Sequence, residues 1–348
     1  MGAEVLGRFE HGGDIYAHVG VLDFSANLNP LGMPEEVKQV LRDSVDSFMA
    51  YPDPHCRSLT KALACKHHVG EDAVICTSGA TDLIERVCSV VKPKAALVTA
   101  PCFSGYEEPL DRLGTRIVRH PLYEEDGFAV TPRFLDGIEE GIDLVFLCSP
   151  NNPTGVTLQT DLIDRVCRKA QRVGARVVLD ECFLDFTDVP SCIDLCQRYE
   201  GLLVMRAFTK MYAMAGLRLG YGICFDGDFM RHLRQAGQTW IVSTPAQLAG
   251  MAALESVGWI ERSREAVRCL RSDLASGLRA CGLKVIDGEA NYLLIKSEYP
   301  LYESLLERGI LIRRCENYEG LDGRWFRVAV RTAEENERLL AALQEVCQ

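Results

Sequence analysis

Apolar and polar positions follow two successive rhythms along this chain. The first ~40 residues are rich in turn-formers, with His11-Gly12-Gly13-Asp14 and then Asp23-Phe24-Ser25-Ala26-Asn27-Leu28-Asn29-Pro30-Leu31-Gly32. That stretch reads either as an ordered arm laid across a surface or as a frayed terminus. From Pro34 to Phe48 the apolar residues Val37, Val40, Leu41 and Val45 recur at helical spacing. Tyr51-Pro52-Asp53-Pro54 breaks the pattern, and a second helix is expected from Ser58 as its N-cap. Short apolar runs then alternate with amphipathic stretches. Strands are predicted over 74–77, 95–99, 116–119, 144–148, 176–179, 202–205 and 220–225, and helices over 81–91, 106–113, 158–173 and 228–235. Such alternation implies a large α/β domain whose mostly parallel sheet is covered by helices on both faces.

Beyond Pro245 two helical patterns, 245–255 and 259–281, are interrupted near Gly258. The remainder is α+β: strands over 283–287, 292–296, 310–313 and 325–330, a helix from Leu301 and a closing helix from Ala333. This predicts a second, smaller C-terminal domain. A chain of 348 residues has room for both.

Charge narrows the choice of partners. The formal net charge is −11 and no basic tract is present, which argues against a nucleic-acid or anionic-membrane surface. No apolar run could span a bilayer, so the expected location is cytoplasmic. The fifteen cysteines form no Cys-x-x-Cys pair. They read as buried thiols of a reducing compartment rather than as a disulfide framework or a metal site.

Candidate chemistry collects at four predicted strand ends, where sheets of this kind bind ligands. Ser78-Gly79-Ala80-Thr81-Asp82 follows the first strand and opens a helix, offering backbone N–H groups to an anion. Ser149-Pro150-Asn151-Asn152-Pro153-Thr154-Gly155 is a proline-stiffened loop from which Asn152 could donate a hydrogen bond. Asp180-Glu181 ends an apolar strand, and Asp180 reads equally as a structural ion-pair member or as the partner of a protonated ring nitrogen. Thr209, Lys210 and Arg218 lie in a segment, Arg206 to Tyr221, without one acidic residue. A lysine so placed is either snorkelling or an amine nucleophile. Together the four ends offer an amine for an aldehyde, a carboxylate for a ring nitrogen, a donor for a phenolate and a cup with an arginine for a phosphate. That is the set pyridoxal 5′-phosphate requires.

Over nearly its whole length the sequence resembles the fold-type I pyridoxal-phosphate enzymes of the aspartate aminotransferase superfamily. The resemblance implies that Lys210 forms the Schiff base with the cofactor, Asp180 pairs with the pyridine nitrogen and Asn152 binds the ring oxygen. Ala80, Thr81, Thr209 and Arg218 match phosphate-binding positions, Phe103 the aromatic stacked on the ring, and Tyr51 a tyrosine that reaches the neighbouring subunit's cofactor in a homodimer with shared active sites. It also implies an arm over residues 1–40 packing on the small domain and substrate site, a cofactor domain over 41–240 and a small domain over 241–348. Two positions depart from the common aminotransferase pattern: Ala207 replaces a phosphate-binding Ser or Thr, and Phe183 replaces a tyrosine on the ring oxygen.

Within the superfamily the chain is most similar to the L-threonine-O-3-phosphate decarboxylases of cobalamin biosynthesis, then to histidinol-phosphate aminotransferases. The first resemblance rests on His11-Gly12-Gly13, on 23–27, on Asp180-Glu181-Cys182-Phe183-Leu184-Asp185-Phe186, on 209–213 and on Ile310-Leu311-Ile312-Arg313 through Asp322. Phe183 fits it, whereas Met214-Ala215-Gly216 is closer to the aminotransferases. It implies a phosphorylated amino-acid substrate contacted by His11, Gly12, Asn27, Asn152, Arg313 and Arg327. Arginines suit a substrate carrying both carboxylate and phosphate. Alternate residues on 325–331 (Arg327, Ala329 and Arg331) share a strand face, so at least one of these arginines is expected to be only structural.

Overall fold

The computed structural model describes Gly7 and residues 11–347. The earlier part of the expected arm, Gly7 aside, lies outside the described residues. The strands are β1 (Leu22–Asp23), β2 (Val74–Thr77), β3 (Ala95–Ala100), β4 (Arg116–Pro121), β5 (Leu144–Cys148), β6 (Arg176–Asp180), β7 (Leu202–Ala207), β8 (Gly220–Ile223), β9 (Lys284–Val285), β10 (Tyr292–Lys296), β11 (Ile310–Leu311), β12 (Arg313–Arg314) and β13 (Trp325–Ala329).

Seven of them form one sheet in the order β2-β8-β7-β6-β5-β3-β4. Only β8 runs against its neighbours; the remaining pairs are parallel. The sheet is apolar on both faces because its strands alternate between two cores: Val145 and Leu147 of β5 point into one, Leu144, Phe146 and Cys148 into the other. Each such fully buried side chain contributes about 1.5–3 kcal/mol. Helices Gly79–Val91 and Gly227–Ala236 cover one face. Helix Thr160–Val173 covers the other, where Leu162, Ile163, Val166, Cys167 and Ala170 are buried.

The chain leaves β3 towards β4 on one side and returns through β5, β6 and β7 on the other, so the order reverses between β3 and β5. A crevice opens there, outside the carboxyl ends of the strands. Because β8 is reversed, its first residue, Gly220, meets the end of β2, and Arg218 stands just ahead of it at the same edge.

A four-stranded antiparallel sheet, β12-β13-β10-β9, has its own core of Leu293, Ile295, Phe326 and Val328 against helices Trp259–Ala280 and Ala333–Val346. The last helix starts with a capping box, Thr332 with Glu335. Helix Thr244–Glu255 joins the large sheet instead, burying Ala246, Ala249 and Ala253 in its core.

Two expectations need revision. Ser58 does not cap a helix: the helix runs Arg57–His67, and Cys56, in the left-handed region at φ 47°, stands before it. From His11 onward the first segment is not frayed but tied down: β1 pairs in parallel with β11, and the Ala329 N–H donates to Phe24 O (2.8 Å). The backbone groups of this short strand are thereby satisfied across a sequence distance no local pattern reveals.

Candidate active site

A cavity of about 290 Å³ sits in the crevice, lined by residues from every strand end named above and from the arm. Its wall includes His11, Gly12, Asn27, Ala80, Thr81, Phe103, Asn152, Asp180, Thr209, Lys210, Arg218 and Arg327. Arg313 lies behind it: its Cδ would stand 3.2 Å from a Cβ on Gly12, and its guanidinium donates to Asn317 Oδ1 (2.8 Å). Tyr51 is elsewhere, 80% exposed and stacked on Trp240 with ring centroids 4.6 Å apart. Arg331 lies past the end of β13 at Ala329, so it does not share a strand face with Arg327, and it pairs with Glu335 at 2.7 Å in a structural role.

Lys210 follows β7 on the short helix Phe208–Met211. Burial, reinforced by the positive charges of Arg327 and Arg218, pulls its pKa from 10.5 down to about 8, with Cys182 and Asp180 opposing. Its Nζ lies 5.5 Å from the centre of the Phe183 ring. Asp180, at the end of the adjacent β6, is buried, which pushes its pKa up. Two donors counter that: the Cys182 N–H to Oδ1 (2.9 Å) and the Tyr106 hydroxyl to Oδ2 (2.7 Å). Each carboxylate oxygen keeps acceptor capacity for a third donor on the cavity side.

Asn152 Oδ1 accepts from Arg327 Nη1 (2.6 Å) and Tyr318 OH (3.4 Å), which turns the amide nitrogen into the end that can donate. Arg327 also donates from Nη2 to Ser25 O (2.8 Å), so the arm and β13 are joined at the cavity wall. Among the described residues, Asn27 Oδ1 and Arg327 Nε are buried without a hydrogen-bond partner. Orphaned polar atoms beside a cavity are groups held for a ligand.

The anion cup is formed by the turn after β2. Gly79 has φ +78°, and a Cβ there would lie 2.7 Å from Arg218 Nη2. Arg218 is itself left-handed at φ 58°, a conformation that costs energy in a non-glycine residue and aims the guanidinium at the start of helix Gly79–Val91. Helix N-terminus and arginine together make an anion site. Ala207 adds no hydroxyl to it, whereas Thr209 does lie on the wall. Amine, buried carboxylate, amide donor, apolar rings and anion cup fit pyridoxal 5′-phosphate.

The sequence reading missed three contributors. Tyr106 lies one turn past Phe103 and 74 positions from its acceptor, so no spacing marks it. Tyr318 and Cys182 line the cavity as neighbours of residues already singled out. His11 is stacked on Phe103 with ring centroids 5.4 Å apart, and burial together with Arg313 keeps its imidazole pKa low.

The profile of the family described as Aminotransferase class I and II matches residues 19–343. The threonine-phosphate decarboxylase of Salmonella typhimurium strain LT2 is 38% identical over 97% of this chain and 96% of its own length. The adenosylcobalamin biosynthesis bifunctional protein CobDQ of Leptospira interrogans is 32% identical over 94% of this chain, which spans only 39% of that longer protein. Among solved structures, the histidinol-phosphate aminotransferase from Clostridium acetobutylicum superposes with a TM-score of 0.88 at 28% identity, covering 94% of this chain and 99% of its own. With a lysine, an aspartate and an anion cup converging on one crevice, and a family match running from the arm to the closing helix, this chain belongs to the class I and II aminotransferase family.

Proposed function

We propose that this protein decarboxylates L-threonine O-3-phosphate to (R)-1-amino-2-propanol O-2-phosphate in cobalamin biosynthesis, with phosphoserine as a second substrate. Its cofactor is pyridoxal 5′-phosphate, which when bound supplies the sink for the electron pair released as a Cα bond breaks. Lys210 carries the cofactor through Nζ, and the same amine is placed to move a proton at the substrate's Cα. Asp180 holds the proton on the ring nitrogen. Asn152 donates to the ring oxygen, while Thr81, Thr209 and Arg218 hold the phosphate.

Arg327 orients the substrate carboxylate, and Asn27 and His11 bound the other side of the substrate. Arg313, behind His11, adds positive charge for the substrate phosphate. Which Cα bond these residues would hold for cleavage decides the outcome: loss of the carboxylate would release carbon dioxide, and loss of the Cα proton would open transamination. The observation that carries the first choice is the 38% identity with the Salmonella decarboxylase over nearly the whole chain. Phe183, buried beside Lys210, supports it by leaving no phenol at the ring oxygen.

The same reading places the protein in the cytoplasm as a homodimer with shared sites. It takes the three-part division into an arm (1–40), a cofactor domain (41–240) and a small domain (241–348), with helix Thr244–Glu255 of the last part packed on the large sheet's core. The runner-up reaction, a histidinol-phosphate-type transamination, is favoured by the likeness to the Clostridium structure.

Cofactor-loaded protein incubated with L-threonine O-3-phosphate should release carbon dioxide with no keto acid present. Glutamate formed from 2-oxoglutarate and histidinol phosphate, with no carbon dioxide from the phosphothreonine, would replace the decarboxylase reading by the runner-up.

A further inference from the structure

Asp180 is buried at the carboxyl end of β6 with no arginine or lysine hydrogen-bonded to it in the described residues. A carboxylate in that position is costly to keep charged, and desolvation favours its neutral form. The protein's answer is a phenol. Tyr106, 1% exposed, is clamped parallel to Phe146 (centroids 4.9 Å apart, 8° between planes) and edge-on to Phe103 (5.4 Å, 85°). Held between those two rings, it donates its hydroxyl to Asp180 Oδ2 at 2.7 Å. Its own ring does not line the cavity.

We propose that Tyr106 is a positioning residue that keeps Asp180 ionised and aimed at the cofactor's ring nitrogen. The turn Phe103–Tyr106 thus serves the cofactor twice, with Phe103 on the cavity wall and Tyr106 behind the carboxylate. A tyrosine suits this role better than a lysine would. A cation would satisfy Asp180 outright and compete with the ring nitrogen for its charge, whereas a neutral donor stabilises the carboxylate and leaves the charge to be shared. Burial also pushes the Tyr106 phenol far up, so it stays a donor at every working pH.

The other titratable groups facing Asp180 are Cys148 at the end of β5, Cys182 just past β6, Lys210 after β7 and Tyr292 of β10. Of these Lys210 is cationic when the cofactor is absent, and the cofactor engages it. The thiols are pushed up by burial and remain neutral.

This rests on the cofactor part of the proposed function and not on the choice of reaction. The test is Tyr106→Phe, which removes one oxygen and keeps the stacked ring. Pyridoxal phosphate is titrated into cofactor-free wild type, Tyr106→Phe, Asp180→Asn and the double variant, reading the dissociation constant and the pH midpoint of the bound cofactor's yellow absorbance. With Asp180 less able to hold the ring nitrogen's proton, Tyr106→Phe should weaken binding about tenfold and raise the midpoint by about one pH unit, the loss expected for a hydrogen bond to a charged group. On the Asp180→Asn background the same substitution should add little. Equal effects on both backgrounds, or none on either, would overturn the assignment.

Should Tyr106→Phe not fold, 3-fluorotyrosine placed at 106 keeps the shape and strengthens the donor. It should move the midpoint the opposite way, and an unmoved midpoint overturns the assignment equally. Wild-type protein that takes up no cofactor would instead sink the reading on which this one stands.

Discussion

Burial lets the Lys210 amine lose its proton at a pH where a surface lysine stays charged. Its folded pKa of about 8 against an ordinary 10.5 has a sign that can be checked. Between those two values the unfolded chain binds the extra proton, so in the cofactor-free protein this residue's penalty is fully present below about 8 and disappears as pH rises towards 10.5. Urea midpoints of wild type and Lys210→Met, compared on either side of that window, should converge as pH rises. A difference independent of pH would mean that water reaches the amine. The lysine itself was legible in the sequence, because an acid-free, small-residue segment around one lysine is rare and local. Its electrostatic neighbours were less so: Arg327 repels it from 117 positions away, by the arithmetic of the numbering (327 − 210). Tyr106 was invisible, since a tyrosine behind an apolar turn looks like ordinary core.

At the scale of elements, the anion cup depends on two turns lying against each other. A Cβ on Gly220 would sit 2.7 Å from the Gly79 carbonyl carbon and 2.8 Å from Ala80 N, and backbone on both sides cannot swing away. Gly220→Ala should therefore destabilise the cofactor-free protein by about 1–3 kcal/mol in urea unfolding, the usual range for overpacking. It should also weaken phosphate-dependent binding of the cofactor. An unchanged urea midpoint would show that the end of β2 and the start of β8 separate without cost. Strand centres such as 74–77, 144–148 and 292–296 were read to the residue, because buried strands are continuous apolar runs bounded by turns. Their ends were not: β6 and β7 continue to Asp180 and Ala207, since ladder bonds to neighbouring strands carry the pairing past Leu179 and Met205, through a charged residue in each case. Ser58 failed as a cap for a related reason. Cap preference is statistical, and here the Arg57 N–H donates to Asp53 Oδ2, four residues upstream, at 2.7 Å.

For the whole molecule, the large parallel sheet and the small antiparallel one were legible from the change of rhythm, whereas a relation between copies entered only through the family resemblance, at Tyr51. Phe48, Met49, Tyr51 and Trp240 leave apolar surface exposed on the chain. In the homodimer proposed above a second copy would cover this surface, and Tyr51 stands on it rather than in its own cavity. Hybrids assembled from Lys210→Ala and Tyr51→Ala subunits give a direct reading. If Tyr51 serves the neighbour's cofactor, one of the two sites is whole and the hybrid keeps about half of the wild-type activity. An inactive hybrid would mean that both residues serve the same subunit.

The parallel pairing of β1 with β11 also bears on how the protein is handled. It threads the leading segment past the crevice, so that His11 rests on Phe103 and Ser25 on Arg327. Anything that pulls residues 11–27 off the sheet, a bulky fused handle included, would therefore take part of the cavity's wall away with it.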